Sequence, residues 1–184
     1  MFRLVHVPGL QIGLSESTIR LGTGPKLAGR NTVRMAISTV LATIRGESFD
    51  EEVVRLACQL LGSNKDKLYL LYVIEVDRGL PVDVEIAAAT AKGESVLQSM
   101  EAVAKTEKFK TEGQLVQARD IGSAVVREAF DKEVDAVVLG ISYRERYGAF
   151  SLGKTVPYVL KNAPCRVVLW RDPISQSTTS GVSE

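Results

Sequence analysis

Continuously apolar stretches alternate with amphipathic segments along most of the chain. The continuous stretches are short and rich in β-branched residues, which predicts buried strands. They cover residues 35–44, 67–76, 113–119, 134–141 and 165–170. In the segments between them apolar residues recur at helical spacing, which predicts helices. These cover residues 49–61, 83–106, 121–133 and 153–162. The predicted order of elements is therefore βαβαβαβαβ.

Strands that alternate with helices form a parallel sheet with helices on both of its faces. The strands of such a sheet are apolar throughout, as the central ones are here, because both of their faces are covered. Crossovers between parallel strands are right-handed, which limits the topology to a few doubly wound orders. The sequence thus predicts an α/β fold with a doubly wound parallel sheet, whose ligands bind outside the carboxyl ends of the strands.

Capping signals mark the ends of the predicted helices. Ser48 followed by Glu51 has the pattern of a capping box at the start of the first helix, and Gly62 follows the last turn of that helix. Asp120 precedes the third helix at the position of an N-cap. We therefore expect Ser48 and Asp120 to accept hydrogen bonds from the first backbone amides of these two helices.

The length of 184 residues suits one domain with terminal extensions. We assign residues 1–34 to a partly irregular, basic N-terminal extension and residues 35–172 to the domain. Residues 173–184 are small and polar, which predicts a disordered tail. A small hairpin around Pro8-Gly9 is an alternative for part of the extension, and Met35 is an alternative first residue of the functional domain.

Composition disfavours several classes of protein. The net charge of +1 supplies no basic field that would attract nucleic acid or an acidic membrane surface. No apolar run approaches the roughly 20 residues of a membrane-spanning helix, and the N-terminus has no pattern of a secretory signal. Cys58 and Cys165 both lie in apolar stretches, and we interpret them as small core residues of a reduced, cytoplasmic protein.

Metal and nucleophilic chemistry find little support in the sequence. His6 is the single histidine and lies in the extension, which disfavours a Ser-His-Asp triad at the sheet. Two distant cysteines and one histidine do not have the spacing of a zinc site. The basic and aromatic residues 144–147 are too few for a nucleic-acid surface. No residue is assigned a catalytic or metal-ligating role.

Residues 148–155, GAFSLGKT, match the P-loop pattern of nucleotide-binding enzymes letter for letter. A P-loop joins a strand directly to a helix, whereas the preceding predicted strand ends near Ile141. Only one predicted strand follows the motif, which leaves no room for the rest of a P-loop core. We therefore expect the match to be coincidental, with Gly148 in the middle of a loop and Gly153 opening the helix.

Gly140 and Gly153, followed by VPYVLKNAPCRVVLWR, resemble the motif of the universal stress protein family. The resemblance covers most of residues 36–171. It implies a five-stranded parallel sheet in the order 3-2-1-4-5, of the adenine nucleotide alpha hydrolase-like kind, and frequent dimerisation. It also implies ATP binding in many members, by backbone amides of the last glycine turn. Helix N-termini favour anions on independent physical grounds.

The chain departs from this family's motif at several positions. Tyr143 stands in place of the second glycine, and Lys154 stands in place of Ser or Thr, with Thr155 one residue late. Arg45 stands where ATP-binding members carry an Asp, so a cation replaces an acceptor near the base and ribose. Lys154 offers a phosphate partner in compensation. The candidate nucleotide-binding residues are Thr43, Ile44, Arg45, Val73, Gly140, Ser142, Gly153, Lys154, Thr155 and Val156.

Three functions stay open on this basis. The first is the sensing of ATP or a related adenine nucleotide, with Mg²⁺ only when nucleotide is bound. The second is a dimeric interaction or regulatory module that has lost nucleotide binding, with a membrane transporter or another protein as partner by analogy with the family. The third is nucleotide hydrolysis, expected to be at most weak ATPase activity. We expect a homodimer through residues 165–170, because an apolar strand at a sheet edge needs cover.

Overall fold

The computed structural model describes residues 3–4, 37–84, 86–142, 145–146 and 149–171. Parallel strands form its main sheet. They are β1 (Thr39–Ile44), β2 (Lys67–Glu75), β3 (Thr111–Ala118), β4 (Ala136–Ile141) and β5 (Arg166–Arg171). Helices follow the first four strands. They are α1 (Asp50–Leu60), α2 (Ala87–Thr106), α3 (Ile121–Asp131) and α4 (Thr155–Asn162).

The five strands lie in the order β3-β2-β1-β4-β5, and each neighbouring pair is parallel. The predicted fold class and strand order are confirmed. β1 lies at the centre, where Thr43 is level with Leu71 of β2 and Leu139 of β4. The carboxyl ends of β2, β1 and β4 therefore meet at one edge of the sheet, at the point where the strand order reverses.

A two-residue strand, Arg3–Leu4, pairs with β3 in the antiparallel direction. Arg3 lies opposite Gln117, and Leu4 lies opposite Val116. The sequence analysis did not predict this strand, because two residues carry no periodicity. Part of the β3 edge is thus covered by the N-terminal extension.

Helices cover both faces of the sheet and create two apolar clusters. α1 and α2 pack on one face, and α3 and α4 pack on the other. Cys58 is buried in the first cluster, where burial raises the pKa of its thiol to about 11. Cys165 packs against the second cluster and is half-buried. Both cysteines are free. Their burial confirms the prediction of a core residue for Cys58 and only partly for Cys165.

The capping box predicted for α1 is wrong. Phe49 occupies the N-cap position with no side-chain cap bond, and Ser48 is exposed. Asp50, at the first helical position, is instead buried beneath the loop between β1 and α1 and accepts hydrogen bonds from its backbone. The predicted cap of α3 is confirmed, because Asp120 Oδ1 accepts a hydrogen bond from Ser123 N at 2.9 Å.

α2 begins at Ala87, later than the predicted residue 83, and side chains at the end of β3 and just after it bind the preceding loop. Gln117 Nε2 donates to Val84 O at 3.1 Å. Arg119 donates to the carbonyl groups of Val76, Asp77 and Leu80. These hydrogen bonds tie the segment before α2 to the carboxyl end of β3.

The polar segment after β4 contains a short antiparallel pair, Glu145–Arg146 with Ala149–Phe150, where a loop was predicted. Several predictions fall outside the described residues. They concern Pro8-Gly9, Met35, Tyr143, Gly148 and the tail 173–184. Among the helices that the structure describes, none combines the length and apolarity needed to cross a membrane.

Candidate functional site

A cavity of about 340 Å³ opens at the carboxyl ends of β1, β2 and β4. All of the candidate residues predicted from the sequence line it. They are Thr43, Ile44, Arg45, Val73, Gly140, Ser142, Gly153, Lys154, Thr155 and Val156. Further lining residues were not predicted. They are Glu47, Leu71, Tyr72, Glu75, Ile121, Val125, Leu139, Ser151 and Leu152, whereas Ile141, which also lines the cavity, lies between the predicted Gly140 and Ser142. The structure thus gathers residues from distant parts of the chain at the switch point of the sheet.

The strand ends at this cavity are tightly packed. Thr43 is buried, and its Oγ1 donates to Val138 O at 3.3 Å. A Cβ atom added to Gly140 would lie 2.4 Å from Phe49 Cε2 and 2.6 Å from Val53 Cγ2. Gly140 therefore has a structural reason to be glycine: it admits α1 onto the sheet. That reason differs from the backbone approach to an anion that the motif suggested.

The turn before α4 has the features of an anion site. Gly153 has φ of +67°, a left-handed conformation that favours glycine, and a Cβ added there would meet no atom within 4 Å. Its N–H donates to Ser151 Oγ at 3.2 Å. α4 begins at Thr155 and has no side-chain cap bond. The first amides of a helix have no intrahelical partner, so those of Thr155 and Val156 are available to a bound anion.

Lys154 reaches across the cavity to a carboxylate that the sequence analysis missed. Its Nζ donates to Glu75 Oε1, and Asp120 Oδ2 lies 4.0 Å from the same nitrogen. The hydrogen bond that Lys154 donates to Glu75, together with the negative charge of Glu75, raises the pKa of Lys154. A usable signal existed, because side chains two apart in a strand share a face and Glu75 follows the predicted Val73. The structure therefore places Lys154 in an ion pair as well as at the turn before α4.

Arg45 lies in the loop that joins β1 to α1, and its exposed side chain is at the rim of the cavity. Asp50 Oδ2 accepts hydrogen bonds from the N–H groups of Arg45 at 3.1 Å, Gly46 at 2.7 Å and Glu47 at 3.2 Å. Gly46 has φ of +77°, which turns its amide toward the same oxygen as its neighbours. Burial raises the pKa of Asp50, although these hydrogen bonds oppose the rise.

The arrangement suits a ligand with an apolar part and an anionic part. Ile44, Leu71 and Val73 supply apolar wall, while the α4 turn supplies amides and Lys154 a cation. Within the described part of the chain, no group of three His, Cys, Asp or Glu side chains could hold a metal ion.

Comparison with known proteins gives a consistent result. The universal stress protein family matches residues 37–171. A universal stress protein from Archaeoglobus fulgidus has a TM-score of 0.60 at 17% identity, over 73% of this chain and 98% of its own. A universal stress protein in complex with cAMP has a TM-score of 0.57 at 18% identity, over 74% of this chain and 98% of its own. A universal stress protein family protein from Arabidopsis thaliana with AMP bound has a TM-score of 0.55 at 14% identity, over 78% of this chain and 97% of its own. No curated protein matched.

The solved structures share the fold, and the family match runs from just before β1 to the last residue of β5. The doubly wound sheet, its strand order and the glycine turn before α4 are those that the sequence motif implied. The chain belongs to the universal stress protein family.

Proposed function

We propose that this protein binds an adenine nucleotide in the cavity at the carboxyl ends of β1, β2 and β4. The observation that carries the proposal is the turn at Gly153, which presents an uncapped helix N-terminus to the cavity. Phosphate oxygens suit that turn, because free amides and the helix dipole favour negative charge. The ligands named for two structural relatives, cAMP and AMP, support adenine nucleotide as the class to test first.

Different residues of this chain would bind the phosphate and the purine ring. The amides of Thr155 and Val156 would hold phosphate, and the Nζ of Lys154 would add a charge-assisted hydrogen bond. The apolar wall that includes Ile44 and Val73 suits the faces of a purine ring. Mg²⁺ is expected only together with nucleotide.

The test is the nucleotide content of the purified protein after heat release, followed by titration of nucleotide-free protein by calorimetry. We expect a stoichiometric adenine nucleotide, or binding on titration. Lys154→Ala should weaken binding by about tenfold to a hundredfold. Gly153→Val should abolish binding, because a β-branched residue is strained at positive φ. Gly148→Ala serves as the control and should leave binding nearly unchanged.

Two outcomes would redirect the interpretation. If Gly148→Ala were as damaging as Gly153→Val, or if Mg²⁺-dependent ATP turnover appeared and vanished in Lys154→Ala, the P-loop interpretation would be correct. If no nucleotide bound at millimolar concentration, the proposal would be wrong.

A dimeric interaction module without nucleotide is the second candidate, and the exposure of β5 favours it. β5 lies at the edge of the sheet, and its apolar residues from Val167 to Trp170 are only half-buried. Tyr158 and Leu160 of α4 are also exposed, by 42% and 49%. Nucleotide-free protein that is dimeric by light scattering would support this function. A transporter as partner stays a prediction by analogy.

A further inference from the structure

The ion pair between Lys154 and Glu75 spans the mouth of the cavity. Lys154 precedes α4 on the β4 side, whereas Glu75 is the last residue of β2. β1 lies between β2 and β4 in the sheet, so the pair crosses over the carboxyl end of β1. Both residues line the cavity, and the side chains are 65% and 38% exposed. A ligand phosphate at the α4 turn must therefore share Lys154 with Glu75 or displace it.

The charges around this cavity are balanced. Among its described lining residues, Arg45 and Lys154 are positive, and Glu47 and Glu75 are negative. Beyond the lining residues, Asp120 Oδ2 lies 4.0 Å from Lys154 Nζ, and Arg78 adds a positive charge that acts to lower the pKa of Lys154. Lys154 thus already has two acidic neighbours, and it cannot neutralise a highly charged ligand without losing them. Each additional phosphate would bring more negative charge toward Glu75 and Asp120.

We propose that Glu75 is a specificity-determining residue that limits the negative charge accepted at the phosphate end of the site. By holding Lys154, Glu75 makes the site prefer nucleoside monophosphates, linear or cyclic, over nucleoside triphosphates. This inference rests on the proposed function and names the ligand class within it. A monophosphate places about two negative charges or fewer at the α4 turn, which the helix amides can hold while Glu75 stays in place.

The test compares Glu75→Gln with the unaltered protein. Glutamine keeps the size of the side chain and an oxygen that accepts a hydrogen bond, but it removes the charge. Dissociation constants for AMP, cAMP and ATP are measured by calorimetry without Mg²⁺. We expect the dissociation constants of the unaltered protein for AMP and cAMP to be at least about tenfold lower than that for ATP. In Glu75→Gln, ATP should gain about tenfold in affinity, and the preference should shrink toward equality.

Glu112→Gln is the matched control. Glu112 Oε1 accepts from Lys132 Nζ at 3.1 Å, so this pair has the same chemistry, but neither residue lines the cavity. Glu112→Gln should leave all three dissociation constants unchanged. A second readout requires no nucleotide: the rate at which an amine-reactive acylating reagent modifies Lys154, followed by mass spectrometry. Loss of the Glu75 charge should lower the pKa of Lys154 and speed its modification, whereas Glu112→Gln should not.

The outcomes separate this inference from the proposed function. Glu75 does not set specificity if nucleotides bind but the ratio of ATP to AMP affinity is the same in Glu75→Gln as in the unaltered protein. The same holds if Glu75→Gln binds every nucleotide more weakly. A preference of the unaltered protein for ATP, or an unchanged rate of Lys154 modification, would also overturn the inference. If no variant binds any nucleotide, the proposed function fails, and the specificity role fails with it.

Discussion

The carboxylate of Asp50 accepts a hydrogen bond from the backbone N–H of Gly46 at 2.7 Å. The same oxygen accepts from Arg45 and Glu47, so one buried side chain shapes the whole loop between β1 and α1. Three convergent amides form the kind of concavity that binds anions, and here the chain fills it with its own carboxylate. The position of Arg45 at the cavity rim depends on this arrangement.

Replacing Asp50 with Ala should destabilise the fold by about 1–3 kcal/mol, because three backbone amides of the loop would lose the acceptor that holds them together. The measurement is urea unfolding at neutral pH. Asp66→Ala is the control: Asp66 Oδ2 accepts from Ser63 N at 2.7 Å in an exposed turn, and its loss should change the free energy of unfolding by under about 1 kcal/mol. Equal effects of the two variants would show that Asp50 does not organise the loop.

Asp50→Asn should change the pH dependence of stability. Burial raises the pKa of Asp50 in the folded state above the ordinary value of 3.8, so the buried charge opposes folding at neutral pH. As pH falls through the raised pKa, the folded state takes up the proton before the unfolded state does, and this opposition disappears. The stability of Asp50→Asn relative to the unaltered protein should therefore be highest at neutral pH and decline toward pH 3.8. Unfolding curves at a series of pH values test this, and a constant difference would contradict it.

The two motif glycines should respond differently to alanine. Gly140→Ala forces a methyl group against Phe49, whose ring stacks on Trp170 with centroids 5.4 Å apart, and should destabilise the fold by about 1–3 kcal/mol. Gly153→Ala meets no neighbouring atom, and its strain at positive φ should be about 1 kcal/mol. Gly153→Asn should be milder still, because asparagine tolerates this conformation. Thermal unfolding of the three variants tests this prediction. A larger loss of stability in Gly153→Ala than in Gly140→Ala would contradict it.

The homodimer predicted through β5 can be tested by removing a backbone hydrogen-bond donor from the open edge of that strand. Arg166 N donates to Asp135 O at 3.3 Å, so the backbone groups of Val168 also face β4, while those of Val167 face the open edge. Val167→Pro removes an edge donor and spares the ladder to β4. We expect it to shift the dimer toward monomer by light scattering without unfolding the chain. A charge at Val168 would be a less informative change, because Val168 packs against the core. An unchanged dimer would place the interface elsewhere.

A chain that starts at Met35 should keep a cooperative thermal melt. The five parallel strands and both apolar clusters lie between residues 37 and 171, and within the described residues the truncation removes the pairing of Arg3–Leu4 with β3. A small decrease in melting temperature is expected from the lost pairing. Insolubility, or a melt far below that of the full chain, would show that cover of the β3 edge is essential.

The fold was predictable because its signal is repeated along the chain: each buried strand is apolar throughout, and each helix carries an apolar stripe. The start of α1 was predicted to within one residue, but its capping was not, since Ser48 and Asp50 are both acceptors near the helix end and the sequence does not show which of them is buried. The residues of the rim could be placed because parallel strands end together. The position of Glu75 at the rim could also have been inferred, because it shares a strand face with Val73. Its pairing with Lys154 could not, because Glu75 is 79 positions away and the pair depends on how α4 is set over the sheet.

The antiparallel strand Arg3–Leu4 makes the two sides of the sheet unequal. A sheet with two open sides can add a neighbour at each of them, and such growth has no natural end. In this molecule one side is partly occupied by the chain's own beginning, and the apolar side at β5 is left for another copy. If copies join through β5, that edge of each copy is covered, and the opposite edge of the described sheet is partly covered by Arg3–Leu4, which favours a dimer over an extended filament.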